Sequence, residues 1–170
     1  MARIPLITER SGLSDEQAAV FDRIVGSRGS LIRPFQVLLH TPELAARIGE
    51  VGHAIRFQGG LEGPDRELVI LAAGRVLGCA FVWESHLGSA REAGVRPEAI
   101  AALEGSGGEL TAWERLLVSF VEELSRTGTV SGEVFSELHR DLGTPGIVEL
   151  SVVVGYYTML GLVMSVNGAC

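Results

Sequence analysis

The chain has 170 residues, a formal net charge of −7, 46% hydrophobic residues and only 21% charged ones. That is enough sequence for one domain with a substantial core, expected to span residues 1–170. All fourteen basic residues are arginine and none stand in a run, which argues against nucleic acid and anionic membrane as partners. A positive mean hydropathy with so few charges predicts more apolar surface than a monomer hides, hence a homo-oligomer. Two cysteines, Cys79 and Cys170, do not make a disulfide framework, and Met1-Ala2-Arg3-Ile4-Pro5 does not read as a signal peptide. A cytoplasmic location is the expectation.

Residues 1–13 read as an extended N-terminal arm. Ser14-Asp15-Glu16-Gln17 is a capping-box start, and Val20, Phe21 and Ile24 supply an apolar stripe before Gly26, where the helix is expected to stop. A short segment covers Pro34 to Leu39. Thr41-Pro42-Glu43 then opens a helix carrying Leu44, Ile48, Val51, Ile55 and Phe57, ending at Gly59-Gly60. Gly63-Pro64-Asp65 opens a central helix that is apolar all round over residues 68–73, the mark of a helix buried on every side. Gly78 breaks it, a second helix runs through His86 to Ala93, and Pro97 starts a short one. Gly105-Ser106-Gly107-Gly108 resembles a linker but does not divide domains, because neither side is complete alone. Thr111-Ala112-Trp113-Glu114 is a second capping box, followed by the clearest amphipathic pattern in the chain, Trp113 to Leu124. A helix from about Ser131 to Leu142 and a last one from Gly146 to about Val166 complete an all-α chain with no strand alternation. The last helix is long enough to span a membrane, but Glu149 and several glycines interrupt it and no basic flank follows; it reads as a buried or subunit-interface helix.

The chemistry gathers between Glu67 and His86. Cys79 and His86 are seven residues apart, so on one helix they share a face about 10 Å apart along its axis. Val82 fills the slot between them. Glu67 precedes Cys79 by twelve residues and can meet the others only if the chain bends, for which Gly78 is the obvious place. His86 is the strongest candidate: a neutral imidazole can take and return a proton near pH 7, the plainer alternative being a hydrogen-bonded core histidine. Glu67 is placed in the first turn of its helix, where interaction with the helix N-terminus would suffice to explain it. An acid beside apolar walls can also shuttle protons. Cys79 is read either as a small buried hydrophobe or as a thiol with thiolate character drawn from a helix N-terminus or from Arg75. His53 and Arg56, three apart, can share a face and grip a carboxylate or a developing enolate; His40 and Arg33 are weaker candidates. Tyr156 and Tyr157 read as core or interface aromatics. The four histidines show no metal-ligand spacing and no phosphate-binding glycine loop is present, so neither a metal nor a cofactor is expected.

Arg66-Glu67-Leu68-Val69-Ile70-Leu71, Ala73-Gly74-Arg75, Gly78, Trp83, His86 and Ala90-Arg91-Glu92-Ala93-Gly94 together resemble the carboxymuconolactone decarboxylase family, within the alkylhydroperoxidase D-like superfamily. Pro34-Phe35, Pro42-Glu43-Leu44 and Val148-Glu149-Leu150 with Gly155-Tyr156-Tyr157 extend the resemblance over nearly the whole chain. It implies a helical bundle assembled as a dimer, trimer or hexamer, with His86 on the family's histidine position and Glu67 on the glutamate of a proton relay. The thiol-peroxidase branch carries Cys-x-x-Cys before its histidine; here the second cysteine is Val82, which counts against a two-cysteine cycle. Cys170 is a poor substitute on sequence grounds. Many decarboxylase-like members carry Tyr-Glu-Trp where this chain has Phe81-Val82-Trp83, implying a drier pocket lined by Phe81 and Trp83, with His53, Arg56 and Phe57 as further substrate contacts.

The expected function is a cofactor-independent decarboxylase or lyase acting on a small or medium organic acid, lactone or related carbonyl compound. His86, Glu67 and Cys79 are its candidate catalytic residues, and the same equipment suits isomerisation, elimination or cyclisation. The alternatives are a hydroperoxidase or thiol-redox protein using Cys79, and a non-catalytic helical oligomer or binding protein.

Overall fold

In the computed structural model, which describes residues 2–170, every regular element among the described residues is a helix. The order is α1 Asp15–Arg28, α2 Arg33–Leu38, α3 Pro42–Phe57, α4 Gly63–Leu77, α5 Ala80–Ala93, α6 Pro97–Glu104, α7 Ala112–Thr127 and α8 Gly132–Val166. The chain divides into two compact units, Met1–Gly59 with Leu162–Ala169, and Gly60–Gly161 with Cys170.

In the first unit, Ser14 and Gln17 form the expected capping box. The helix runs through Gly26, however, and stops three residues later at Gly29, whose φ of 78° supplies the left-handed cap. A helix tolerates an internal glycine at a cost near 1 kcal/mol, whereas the terminating position needs positive φ. Only part of the apolar stripe expected on α3 is buried, with Ile55 inside and Ile48 half-buried. Leu44, Val51 and Phe57 are exposed, and the buried side is made of Ala45, Gly52 and Ile55. Gly49 lies on that side, where an added Cβ would sit 3.6 Å from the Phe35 ring. Small residues let α3 press onto α1 and α2; large ones would hold it away. Thr41 precedes α3 without a capping bond, its hydroxyl donating instead to the Leu38 carbonyl at 3.0 Å. The extended arm is held by the fully buried Asn167, whose Oδ1 accepts from the Ile4 amide at 2.5 Å and whose carbonyl accepts from Arg3 at 3.2 Å.

The second unit is built on α4. Residues 67–74 of this helix are all buried, with Val69, Ile70 and Leu71 at 0% exposure, so the helix is enclosed by α5, α6 and α7 as its composition requires. At Gly78 (φ 67°) the chain turns and α5 runs back over α4. The two helices pack closely at Gly74: a Cβ there would lie 3.0 Å from Val82 Cγ1 and 3.2 Å from the Trp83 amide nitrogen.

The capping box of α7, Thr111 with Glu114, is also present. Burial acts to raise the Glu114 carboxyl, but the Arg96 guanidinium (Nε 3.0 Å, Nη2 3.2 Å) and the Thr111 bonds outweigh it and hold it below the usual carboxylate value.

The two closing helices expected on either side of Thr144-Pro145 are continuous in α8 except at Gly143, whose φ of 63° and ψ of −178° are not helical. That conformation is essentially confined to glycine. α8 is long and apolar enough to cross a membrane by length and composition alone. Within the second unit it buries Leu150, Val153 and Val154. Glu149 accepts from the amides of Gly60 (2.8 Å) and Leu61 (3.2 Å), anchoring the approach to α4.

Replacing Gly143 by alanine should therefore cost about 1–3 kcal/mol. Gly26→Ala, exposed and inside α1, should stabilise by about 0.5–1 kcal/mol. Chemical denaturation of the two variants beside the parent chain checks both signs. The lowered Glu114 carboxyl makes its bonds a source of stability that is complete above the usual carboxylate pKa, about 4.3, and lost as pH falls through the depressed value. The stability gap between the parent chain and Glu114→Gln should thus be full at neutral pH and close in acid.

Candidate functional site

Glu67 lies one turn inside α4, past the first turn in which only Asp65 is acidic. The helix N-terminus is therefore not its partner, contrary to the simpler expectation. The turn at Gly78 brings His86, in the second turn of α5, back against it. His86 Nδ1 and Glu67 Oε2 are 2.9 Å apart, and the side chains are 15% and 7% exposed. An ionised carboxylate only accepts, so the imidazole donates through Nδ1–H and its Nε2 is the nitrogen left for a reacting group. No hydrogen bond holds Nε2 among the described residues. A buried carboxylate so placed fixes the tautomer and stabilises the imidazolium when it forms, the logic of a base oriented by a third group.

Two neighbours complete the site. The Tyr157 ring meets the His86 ring edge-on, centroids 4.8 Å apart at 88°. It is buried, as expected of a core aromatic, and its place against the imidazole was not legible from its spacing. Arg66 Nε stands 3.9 Å from Glu67 Oε1, and that nitrogen is buried without a hydrogen-bond partner. Sequence reasoning passed over Arg66 as part of a motif; the signal available was its adjacency to Glu67, whose burial a cation would support.

The other predicted residues are distributed as follows. Cys79 is not on the helix it was expected to share with His86. It occupies the N-cap of α5 (φ −98°, ψ 98°), 1% exposed, and is joined in a disulfide to Cys170. The Cα atoms are 4.5 Å apart across a sequence separation of 91. This corrects the expectation that Cys170 makes a poor partner: tertiary folding brings it within bonding distance of Cys79. Arg75 does not serve Cys79. Its guanidinium covers the Trp83 ring at 5.7 Å and reaches the Glu104 carbonyl at 3.5 Å. Val82 is packed on Gly74, while Phe81 and Trp83 are half-buried on α5.

His53, Arg56 and Phe57 belong to the first unit and form their own cluster. The His53 and Phe57 rings are 4.9 Å apart and Arg56 lies 5.5 Å over the Phe57 ring. His53 also borders a cavity of about 300 Å³ between α1 and α3, beside Arg23, Glu50 and Gln58. His40 is engaged with the Pro5 carbonyl at 2.8 Å.

With the helical arrangement and the Glu67–His86 pair in place, the comparison with known proteins is direct. Residues 42–122 match the Carboxymuconolactone decarboxylase family, a span that includes α3 to α6 and most of α7. The matched span is similar to that family over somewhat less than half of the chain. No curated protein sequence matches it. Among solved structures, the alkylhydroperoxidase AhpD core of an uncharacterized peroxidase-related protein from Ralstonia eutropha JMP134 is similar with a TM-score of 0.79 at 16% identity, covering 99% of this chain and 91% of that one. A peroxidase-related protein from Silicibacter sp. TM1040 gives 0.78 at 15% identity, covering 100% and 94%. The debrominase Bmp8, as a cysteine-to-alanine variant in complex with 2,3,4-tribromopyrrole, gives 0.77 at 17% identity, covering 100% and 93%. At such identities these likenesses establish the fold.

The geometry makes a spectroscopic prediction. In the neutral form of the His86 ring, its ¹⁵N shifts should report the proton on Nδ1 and none on Nε2. In Glu67→Gln, which keeps the side chain's shape but removes its charge, that tautomer preference should be lost.

Proposed function

We propose that the chain is a cofactor-independent enzyme of the lyase type that moves a proton at a carbon next to a carbonyl group. Its substrate would be a small or medium organic acid, lactone or related carbonyl compound. The observation that carries this reading is the 2.9 Å contact between the buried Glu67 and His86, which leaves Nε2 unengaged.

In the decarboxylation this arrangement suits, the bond to the carboxylate carbon breaks and its electron pair passes into an enolate. The His86 imidazolium then gives its Nε2 proton to the carbon and is restored from water, while Glu67 stabilises the charged ring. Arg66, with its unpartnered Nε beside Glu67, supplies the cation that holds the substrate carboxylate or the developing oxyanion. It takes the role expected of Arg56 and His53. Isomerisation, elimination and cyclisation ask for the same proton transfers, and half-buried Phe81 and Trp83 favour a substrate with apolar parts. The exposed apolar residues Leu44 and Val51 on α3, and Val148 and Val152 on α8, support assembly as a homo-oligomer, which light scattering would measure.

The test is proton–deuterium exchange and CO₂ release over a panel of keto acids and carboxylated lactones. His86→Ala should lose about 10²–10⁴-fold in rate with an unchanged circular dichroism spectrum. Cys79→Ser should retain activity. If no panel member exchanges or decarboxylates faster than with His86→Ala, the binding-protein reading replaces this one; activity that disappears in Cys79→Ser would move the chemistry to the thiol.

A further inference from the structure

The Cys79–Cys170 disulfide lies outside the proton-transfer reading and does not depend on it. Its two sulfurs are in different surroundings. Cys79 is 1% exposed and sits at the N-cap of α5, whereas Cys170 is exposed, following Gly168 and Ala169. The first amides of α5, those of Ala80, Phe81 and Val82, have no acceptor one turn earlier within their own helix, and no side chain caps them. A thiolate at Cys79 would receive these N–H groups as an N-cap oxygen does, and the helix N-terminus lowers a thiol's pKa. The Cys170 sulfur lies 3.2 Å from the Gly161 carbonyl, which would accept its S–H once reduced. Each product of reduction thus has a place prepared for it.

We propose that Cys79–Cys170 is a thiol–disulfide exchange site with a fixed polarity, serving small thiols or dithiols. An external thiolate attacks the sulfur of Cys170, the exposed residue of the pair. The S–S bond breaks, its electron pair leaves with Cys79 as thiolate, and a mixed disulfide forms on Cys170. A second thiol attacks the external sulfur of that mixed disulfide and releases Cys170 as a thiol. In sum, two external thiols are oxidised to their disulfide and the protein disulfide is reduced to a dithiol; run in reverse, the same steps oxidise the protein with an external disulfide. The direction follows from exchange kinetics, in which the better-stabilised thiolate leaves and attack falls on the cysteine that is easier to reach, here the exposed Cys170 rather than the buried Cys79.

The experiment uses the oxidised full chain, folded, with substoichiometric reduced glutathione. Acid quenching is followed by N-ethylmaleimide labelling and peptide mass spectrometry. The expected product carries glutathione on Cys170 and maleimide on Cys79. Glutathione on Cys79 overturns the polarity. A disulfide that resists excess glutathione in the folded chain but yields after denaturation makes the bond a structural staple and overturns the site, as does a purified chain with two free thiols that glutathione disulfide fails to oxidise. As a second measurement, the Cys79 thiol of Cys170→Ser should titrate below the ordinary cysteine value, about 8.5, by thiolate absorbance. Titration at or above that value also overturns the assigned leaving group.

Discussion

The second unit depends on a buried carboxylate. Glu67 stands in a helix whose neighbouring residues are apolar and enclosed, where an unpartnered charge would be costly. It is tolerated because Gly78 can hold positive φ, because Gly74 lets α5 lie close to α4, and because His86 then presents a nitrogen at hydrogen-bond distance. Arg66 adds a cation on the other carboxylate oxygen. Loss of any of these would leave a buried charge less well matched, so the constraint that builds the unit and the arrangement that equips it for proton transfer are the same.

Other polar groups act as fasteners. Glu149 ties α8 to the backbone ahead of α4, Asn167 ties the N-terminal arm within the first unit, and Arg96 ties the start of α6 to the cap of α7. Glu67 and Glu149 each stand beside an apolar helical run, yet their roles differ: one carboxylate meets an imidazole, the other meets backbone amides. A glutamate at the head of an apolar helix does not by itself announce chemistry.

Much of this was legible in the chain. Capping boxes at Ser14 and Thr111, the enclosed composition of residues 68–73 and the break at Gly78 announce helices and their ends by local rules. The pairing of Glu67 with His86 was also within reach, since a bend between two helices of known length brings them together. Local rules misled where glycine had two uses. Gly26 is merely tolerated inside α1, and Gly49 and Gly52 make the packing face of α3, so the larger Leu44 and Val51 turned outward.

What the sequence determined by itself was the helical class, the position of most helix ends and the residues able to transfer a proton, because caps, periodicity and side-chain chemistry are local properties. Tertiary structure alone decided the rest. Cys79 meets Cys170 across 91 residues, and Tyr157 meets the His86 ring across 71. Contacts between segments so far apart in the chain depend on how whole helices pack, and no local pattern carries that information.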